Sequence, residues 1–444
     1  MLKQITLIDL SISFFYVLVI LFIVNITKPS KREKYTTYYT TFFGLKIVYA
    51  LLFVLIHSYY YKGGDTFLYF SGGNFFLEQM IADPFNSIKT LSSSYTELSE
   101  LSYSNGYSII GSIRSSDVFF LSKIISIILL FTGDNYLAAS IIYTLITAIG
   151  IWKLYATLCK LYPAIYKHFA IGILFYPSLG IWGSGILKDP LTFAAVGFIF
   201  SAVYNLMNRE KLFASIISIS VSTYLCFILK PYILYTFVPV MLMWVQGKIV
   251  SKTSSSLGKY ILAPILIPIF IGGGYLFLQQ ISTGAGKYSL ENVQSVAEGF
   301  HSWHSYLAET RDQSGYSLGN VSFTPLGILV KAPEAFFVTY FRPFIVGDVR
   351  NVATLFEALQ AFALLIISLR VFFKVGIFKS FRLFVSNPDV RAFLTFAIIL
   401  GVTVGLTSYN FGALSRYKIP GVPFYIASLA IIYFKGTKNP LNGK

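Results

Sequence analysis

The sequence predicts an all-α fold: a polytopic transmembrane helix bundle of about 11 spans, with interfacial helices and two large outer loops, 61–135 and 281–352. Three observations predict it. Of 444 residues, 55% are hydrophobic and only 12% charged, and the mean hydropathy is +0.67; a soluble domain carries roughly 25% charged residues. Apolar runs of about 20 residues recur along the whole length, which is what an α-helix needs to cross the hydrocarbon core. Finally, the net charge of +16 is spread one loop at a time, so it fits the positive-inside rule and excludes a nucleic-acid-binding stripe. The chain reads as one membrane domain over 1–444.

The elements follow in order. Spans are expected at about 8–26, 43–60, 136–155, 168–183, 190–207, 212–229, 231–247, 259–280, 353–373, 391–409 and 419–434. The first has only Lys3 ahead of it and Lys28, Lys31, Arg32 and Lys34 behind it, with no small-residue cleavage site, so it reads as a retained span and not a signal peptide. Basic clusters fall on alternate loops: Lys28 to Lys34, Lys153 with Lys160 and Lys167, Arg209 with Lys211, Lys248 with Lys252, Arg370 to Arg382, and the tail from Lys435. That side is expected to be cytoplasmic. The run Phe119–Phe131 is short and holds Lys123. It is expected to lie flat on the outer leaflet with Lys123 snorkelling to the interface. The N-terminus is then outside and the C-terminus inside, in a multi-pass protein of the cell membrane whose active side is extracytoplasmic. Cys159 and Cys226 are far apart and lie in or beside apolar runs, which argues against a disulfide framework and a Cys-based metal site.

Polar groups between apolar runs are the candidates for chemistry. Trp182–Pro190 sets Lys188 and Asp189 between two apolar runs. Charges near membrane depth cost roughly 2.5–3.5 kcal/mol each, so they usually face a wet cavity or a partner. A helix hairpin with these residues at its tip, at the membrane surface, is expected; the two can serve a site or simply pair with each other while Asp189 caps the next helix. Gly63-Gly64-Asp65 follows the second span. The glycines allow a sharp turn, and Asp65 is either a general base toward a sugar hydroxyl or a turn carboxylate capping a helix from about Thr66.

Ser415-Arg416-Tyr417-Lys418 opens the last span with two cations on the side where positive-inside logic disfavours them. Arg416 can fork onto a phosphate and Lys418 can act as a point charge; snorkelling toward headgroups is the alternative. Arg342 stands among aromatics after Lys331 and Glu334, as a groove residue or an anchor, and Lys230 marks another outer tip that can join the same anion site. His301 and His304 share a helix face, without an acid or Cys partner at ligand spacing except Glu298. No cofactor is expected: no Gly-rich phosphate loop, HExxH or Gly-x-Ser-x-Gly occurs, and a divalent metal has no ligand set to support it.

The order of these features resembles the GT-C superfamily of polytopic glycosyltransferases that use polyprenyl-phosphate sugars. The resemblance rests on Gly64-Asp65-Thr66-Phe67-Leu68-Tyr69 in the first outer loop and on flat helices at about 75–82 and 117–133. It rests further on Tyr176-Pro177-Ser178 leading to Leu187-Lys188-Asp189, and on Arg416-Tyr417-Lys418-Ile419-Pro420 before the last span. It covers most of residues 43–434 as an order of short motifs. It implies a polyprenyl-phosphate-linked sugar donor and a glycan or lipid acceptor as partners, in contact with the bilayer and without nucleic acid. It also implies Asp65 as the base and Arg416 with Lys418 on the donor phosphate. A polymerase or ligase of lipid-linked repeat units shares the early Gly-x-Asp stretch, and a flippase or transporter is the non-enzymatic alternative.

Overall fold

The computed structural model describes residues 5–30, 33–97, 113, 115–252 and 314–437, with a few isolated positions between 294 and 306. The described elements are helical, apart from one isolated antiparallel bridge between Gly315 and Asn410. Among the described residues, eight helices are long and apolar enough to cross a membrane, or nine if the bent pair Phe411–Tyr417 and Val422–Thr437 counts as one span. That is the pattern of a multi-pass membrane protein. The expected span at 259–280 and the pair His301 and His304 lie outside the described residues.

The chain divides into two compact units. The first comprises Met1–Ala156, Leu179–Phe198 and Ser220–Lys230. It opens with α1 (Leu7–Ile26), whose first turn carries a reciprocal cap between Thr6 and Asp9. This helix is exposed almost all round, as a lipid-facing span is. Polar contacts fix it: Asn135 Nδ2 donates to Asp9 O at 3.0 Å, and Tyr16 donates to the carbonyl of Phe131. Then α2 (Tyr39–Leu55) runs into a π-helical turn, Ile56–Tyr60.

Next come α3 (Asp65–Ala82), α4 (Pro84–Ser92) and α5 (Ser116–Thr132). The expected short interfacial helix at about 75–82 is instead the second half of α3. The helix continues through Gly72 and Gly73 because α5 packs on them: a Cβ on Gly72 would lie 2.2 Å from Ser122 Oγ. Nor does Lys123 snorkel. Its ammonium donates to Leu91 O and Ser93 O at 2.8 and 2.6 Å and stands 4.1 Å from the Phe119 ring centroid. The long α6 (Tyr136–Leu161) and the start of a later helix complete the core of this unit.

The second unit comprises Thr157–Ser178, Ile199–Ile219 and Pro231–Lys444. The span expected over 168–183 is divided: α7 (Tyr166–Phe169), a π turn at Ala170–Leu174, and α8 (Pro177–Trp182). Pro177 has no N–H to continue the preceding ladder, so the helix must restart there. The chain continues through α9 (Lys188–Met207), α10 (Leu212–Leu229) and α11 (Pro231–Lys252). The next described helices are α12 (Pro325–Phe341), α13 (Val352–Val375), α14 (Ile377–Ser386), α15 (Pro388–Thr407), α16 (Phe411–Tyr417) and α17 (Val422–Thr437). The expected span at 419–434 starts at Val422 because Pro420 and Pro423 interrupt the ladder, leaving a 66° bend between α16 and α17.

The core of the second unit is aromatic. Phe200 stacks on Trp244 at 4.9 Å, and Phe393 and Phe424 close on Phe200 edge-on at 5.5 and 5.4 Å. Helices α12 and α15 meet at two glycines four residues apart: a Cβ on Gly405 would lie 2.2 Å from Ala335 O, and one on Gly401 2.6 Å from the Tyr340 ring. Small residues at this spacing let backbones approach within the membrane. Thr339 Oγ1 and the Tyr340 hydroxyl then reach the carbonyls of Gly401 and Ala397 at 2.7 and 2.9 Å.

Candidate functional site

Four of the residues singled out in the sequence stand in the first unit. Asp65 is the first residue of α3, after Gly64 at φ +119°. The N-cap position, one of the alternatives open for Asp65, is held by Gly64, and the turn is made by glycine in a conformation that side chains disfavour. Asp65 is exposed, and Tyr69, one turn on along the same stripe, is buried. The Lys188 ammonium lies over the Tyr69 ring, 5.5 Å from its centroid.

The tip at Lys188-Asp189 is sunk, not presented at the surface. Ser184, Ile186, Leu187 and Asp189 are all 2% exposed or less. Tyr143 donates to Leu187 O at 2.6 Å, and Thr144 Oγ1 accepts from Gly185 N at 2.8 Å. Tyr143 is seven residues into α6, which puts the tip about 10 Å down that helix at 1.5 Å per residue. Gly185, at φ +72° and with a hypothetical Cβ only 2.0 Å from the Phe53 ring, makes the turn.

Lys188 and Asp189 do not pair with each other. Lys188 pairs with Asp117, and Asp189 pairs with Lys230, where the side chains are 2% and 9% exposed. Two carboxylates and two ammonium groups thus alternate at the first turns of α5 and α9 and the last residue before α11. Asp117 and Asp189 sit in first turns, where open N–H groups favour an anion, and Lys230 follows the last turn of α10, where the dipole favours a cation; Lys188, at a positive helix end, is offset by Asp117. Oδ1 of Asp117 also accepts from Ser115 Oγ and from Val118 N. A ligand anion arriving at either lysine would compete with its carboxylate partner.

Sequence reasoning missed Asp117 and Lys46. Asp117 carried a signal, an acid two residues into the run that begins at Ser115. Lys46 stood alone inside an apolar span. It is 2% exposed and donates to Gly183 O at 2.8 Å, with Leu179 O, Gly180 O and Ser184 Oγ each at 3.4 Å. It therefore gathers the carbonyls of the turn that leads to the tip.

The remaining singled-out residues belong to the second unit. The Arg342 guanidinium forks onto Asp348, with Nε to Oδ2 at 2.8 Å, while Asp348 Oδ2 accepts from Phe344 N at 2.7 Å. Rings of Tyr316, Phe344 and Phe411 surround it at 5.4–6.0 Å. This arginine closes its own turn. Tyr409 stacks on Tyr316, and burial, with the charge of Glu334 adding, pushes its phenol up to about 12, so it is neutral at physiological pH.

Arg416 and Tyr417 end α16, half-buried, with the guanidinium 5.9 Å from the Tyr417 ring centroid. Lys418 follows in the break and is 3% exposed. On α13, Glu357 accepts from Ser178 Oγ at 2.6 Å, while Gln360 accepts from Ser178 N at 2.8 Å. Among the described residues, no group of three or more His, Cys, Asp or Glu side chains is placed to hold a metal ion. Comparison with known proteins adds nothing to this geometry: no family model, no curated protein and no solved structure matches the chain.

Proposed function

We propose that the protein is a membrane glycosyltransferase that moves a sugar from a polyprenyl-phosphate-linked donor to a glycan or lipid acceptor on the extracytoplasmic side. The observation that carries this reading is the alternating network Asp117–Lys188 and Asp189–Lys230, gathered at helix ends in one unit beside the stripe of Tyr69 and Asp65. In the reaction an acceptor hydroxyl attacks the anomeric carbon while the bond from that carbon to the polyprenyl phosphate oxygen breaks. Asp65 takes the hydroxyl proton. Lys188 and Lys230 steady the charge that grows on the departing phosphate, a role in which fixed cations in a water-poor site are most effective.

The test is transfer from a defined polyprenyl-phosphate sugar by the protein reconstituted in vesicles. Asp65→Asn is expected to lower transfer about 10²–10⁴-fold with the fold intact; unchanged transfer would remove Asp65 from the reaction. Accumulation of unjoined lipid-linked repeat units in a deletion strain, in place of single-sugar donors, would favour a polymerase or ligase instead.

One observation favours a second reading, a flippase or transporter. Lys418 is buried in the break between α16 and α17, the kind of place at which transporters bind ions or substrates. Vesicle-to-vesicle movement of a lipid-linked glycan without any change in its chemistry would support it.

A further inference from the structure

The ten residues of α14 lie between two helices of spanning length, joined to them only by Gly376 and Asn387. A helix this short reaches about 15 Å and cannot cross, so it must stay at the depth where α13 ends and α15 begins. Its two sides differ sharply. Ile377, Phe378, Phe381 and Val385 fall on one arc and are 68%, 89%, 65% and 52% exposed. The other side is pinned to the second unit. Ser380 is buried and donates to Gly376 O at 2.9 Å, Lys379 donates to Gly436 O, and Arg391 Nη1 donates to Val385 O at 2.7 Å. Ser380 and these backbone contacts therefore face protein, Arg382 and Ser386 stand exposed beside them, and the apolar arc is left for another medium.

Charge says which medium. No acid occurs between Glu357 and Asp389, whereas Arg370, Lys374, Lys379 and Arg382 all do. Arg370 and Lys374 share a face of the last turns of α13, and Arg382 borders the apolar arc of α14; all three are exposed. We propose that α14 is an in-plane docking helix for the anionic headgroup layer of the leaflet on the side of the basic loops. Its apolar arc sinks to the top of the acyl chains, and Arg370, Lys374 and Arg382 bind lipid phosphates.

Cys159 and Cys226 are buried, so a new surface cysteine can be labelled selectively. The full-length protein carrying Phe378→Cys with an environment-sensitive fluorophore is placed in nanodiscs of phosphatidylcholine and phosphatidylglycerol. Shallow nitroxide-labelled lipids are expected to quench this probe and aqueous iodide to spare it, with the reverse for the same probe at Ser386→Cys on the polar side. Nitroxide-labelled phosphatidylglycerol is expected to quench the Phe378→Cys probe more than labelled phosphatidylcholine. That preference is expected to fall about fivefold for each of Arg370→Gln, Lys374→Gln and Arg382→Gln. Iodide access to the Phe378→Cys probe in the bilayer would overturn the docking. Equal quenching by the two lipids, or a preference that survives all three changes, would overturn the charge recognition.

Discussion

Single charged residues in this protein are explained by who neutralises them. Asp189 and Lys230 form a buried pair, and removing one partner strands the other charge. Asp189→Ala is expected to destabilise the fold by about 3–5 kcal/mol, read as a lower unfolding midpoint in detergent. Replacing both residues, Asp189→Leu with Lys230→Met, is expected to restore most of that stability. If the single and double variants unfold together, the pair is not coupled. The same reasoning separates Arg342 from the other cations. Its fork onto Asp348 makes it a turn clamp, so Arg342→Lys is expected to weaken the turn because an ammonium cannot fork as a guanidinium does.

Elements of this chain meet where side chains are absent. Helix α15 approaches α12 across Gly401 and Gly405, and two side-chain hydrogen bonds to backbone carbonyls then bridge them. Gly405→Leu would drive a side chain into Ala335 O and is expected to cost about 1–3 kcal/mol or more, seen as an earlier thermal transition of the purified protein. An unchanged transition would show that the helices can separate freely. Helix α3 follows the same rule against α5. The family resemblance implied a flat interfacial helix at about 75–82 there; the chain instead forms one helix of eighteen residues, with Gly72 packed close against Ser122.

At the scale of the molecule, sidedness is the property most open to test. An impermeant maleimide added to intact cells is expected to label Tyr61→Cys and to miss Glu210→Cys, since the two positions flank spans on opposite sides of the basic-loop pattern. The opposite result would invert the topology, and with it the side on which we place the transferase chemistry and the docking face of α14.

The helical, membrane-spanning character was legible because it rests on composition and run length, which every span carries in its own residues. Asp65, Lys188, Asp189 and Lys230 were legible as candidates because each interrupts an apolar run. Their partners were not. Asp117 is 71 residues from Lys188, and Asp189 is 41 from Lys230; a pairing between helix ends depends on which helices pack, not on local spacing. The burial of the tip and the carbonyl cage around Lys46 were likewise decided by packing. Local sequence sets the cost of placing a charge near lipid, and only the tertiary structure supplies the group that offsets it.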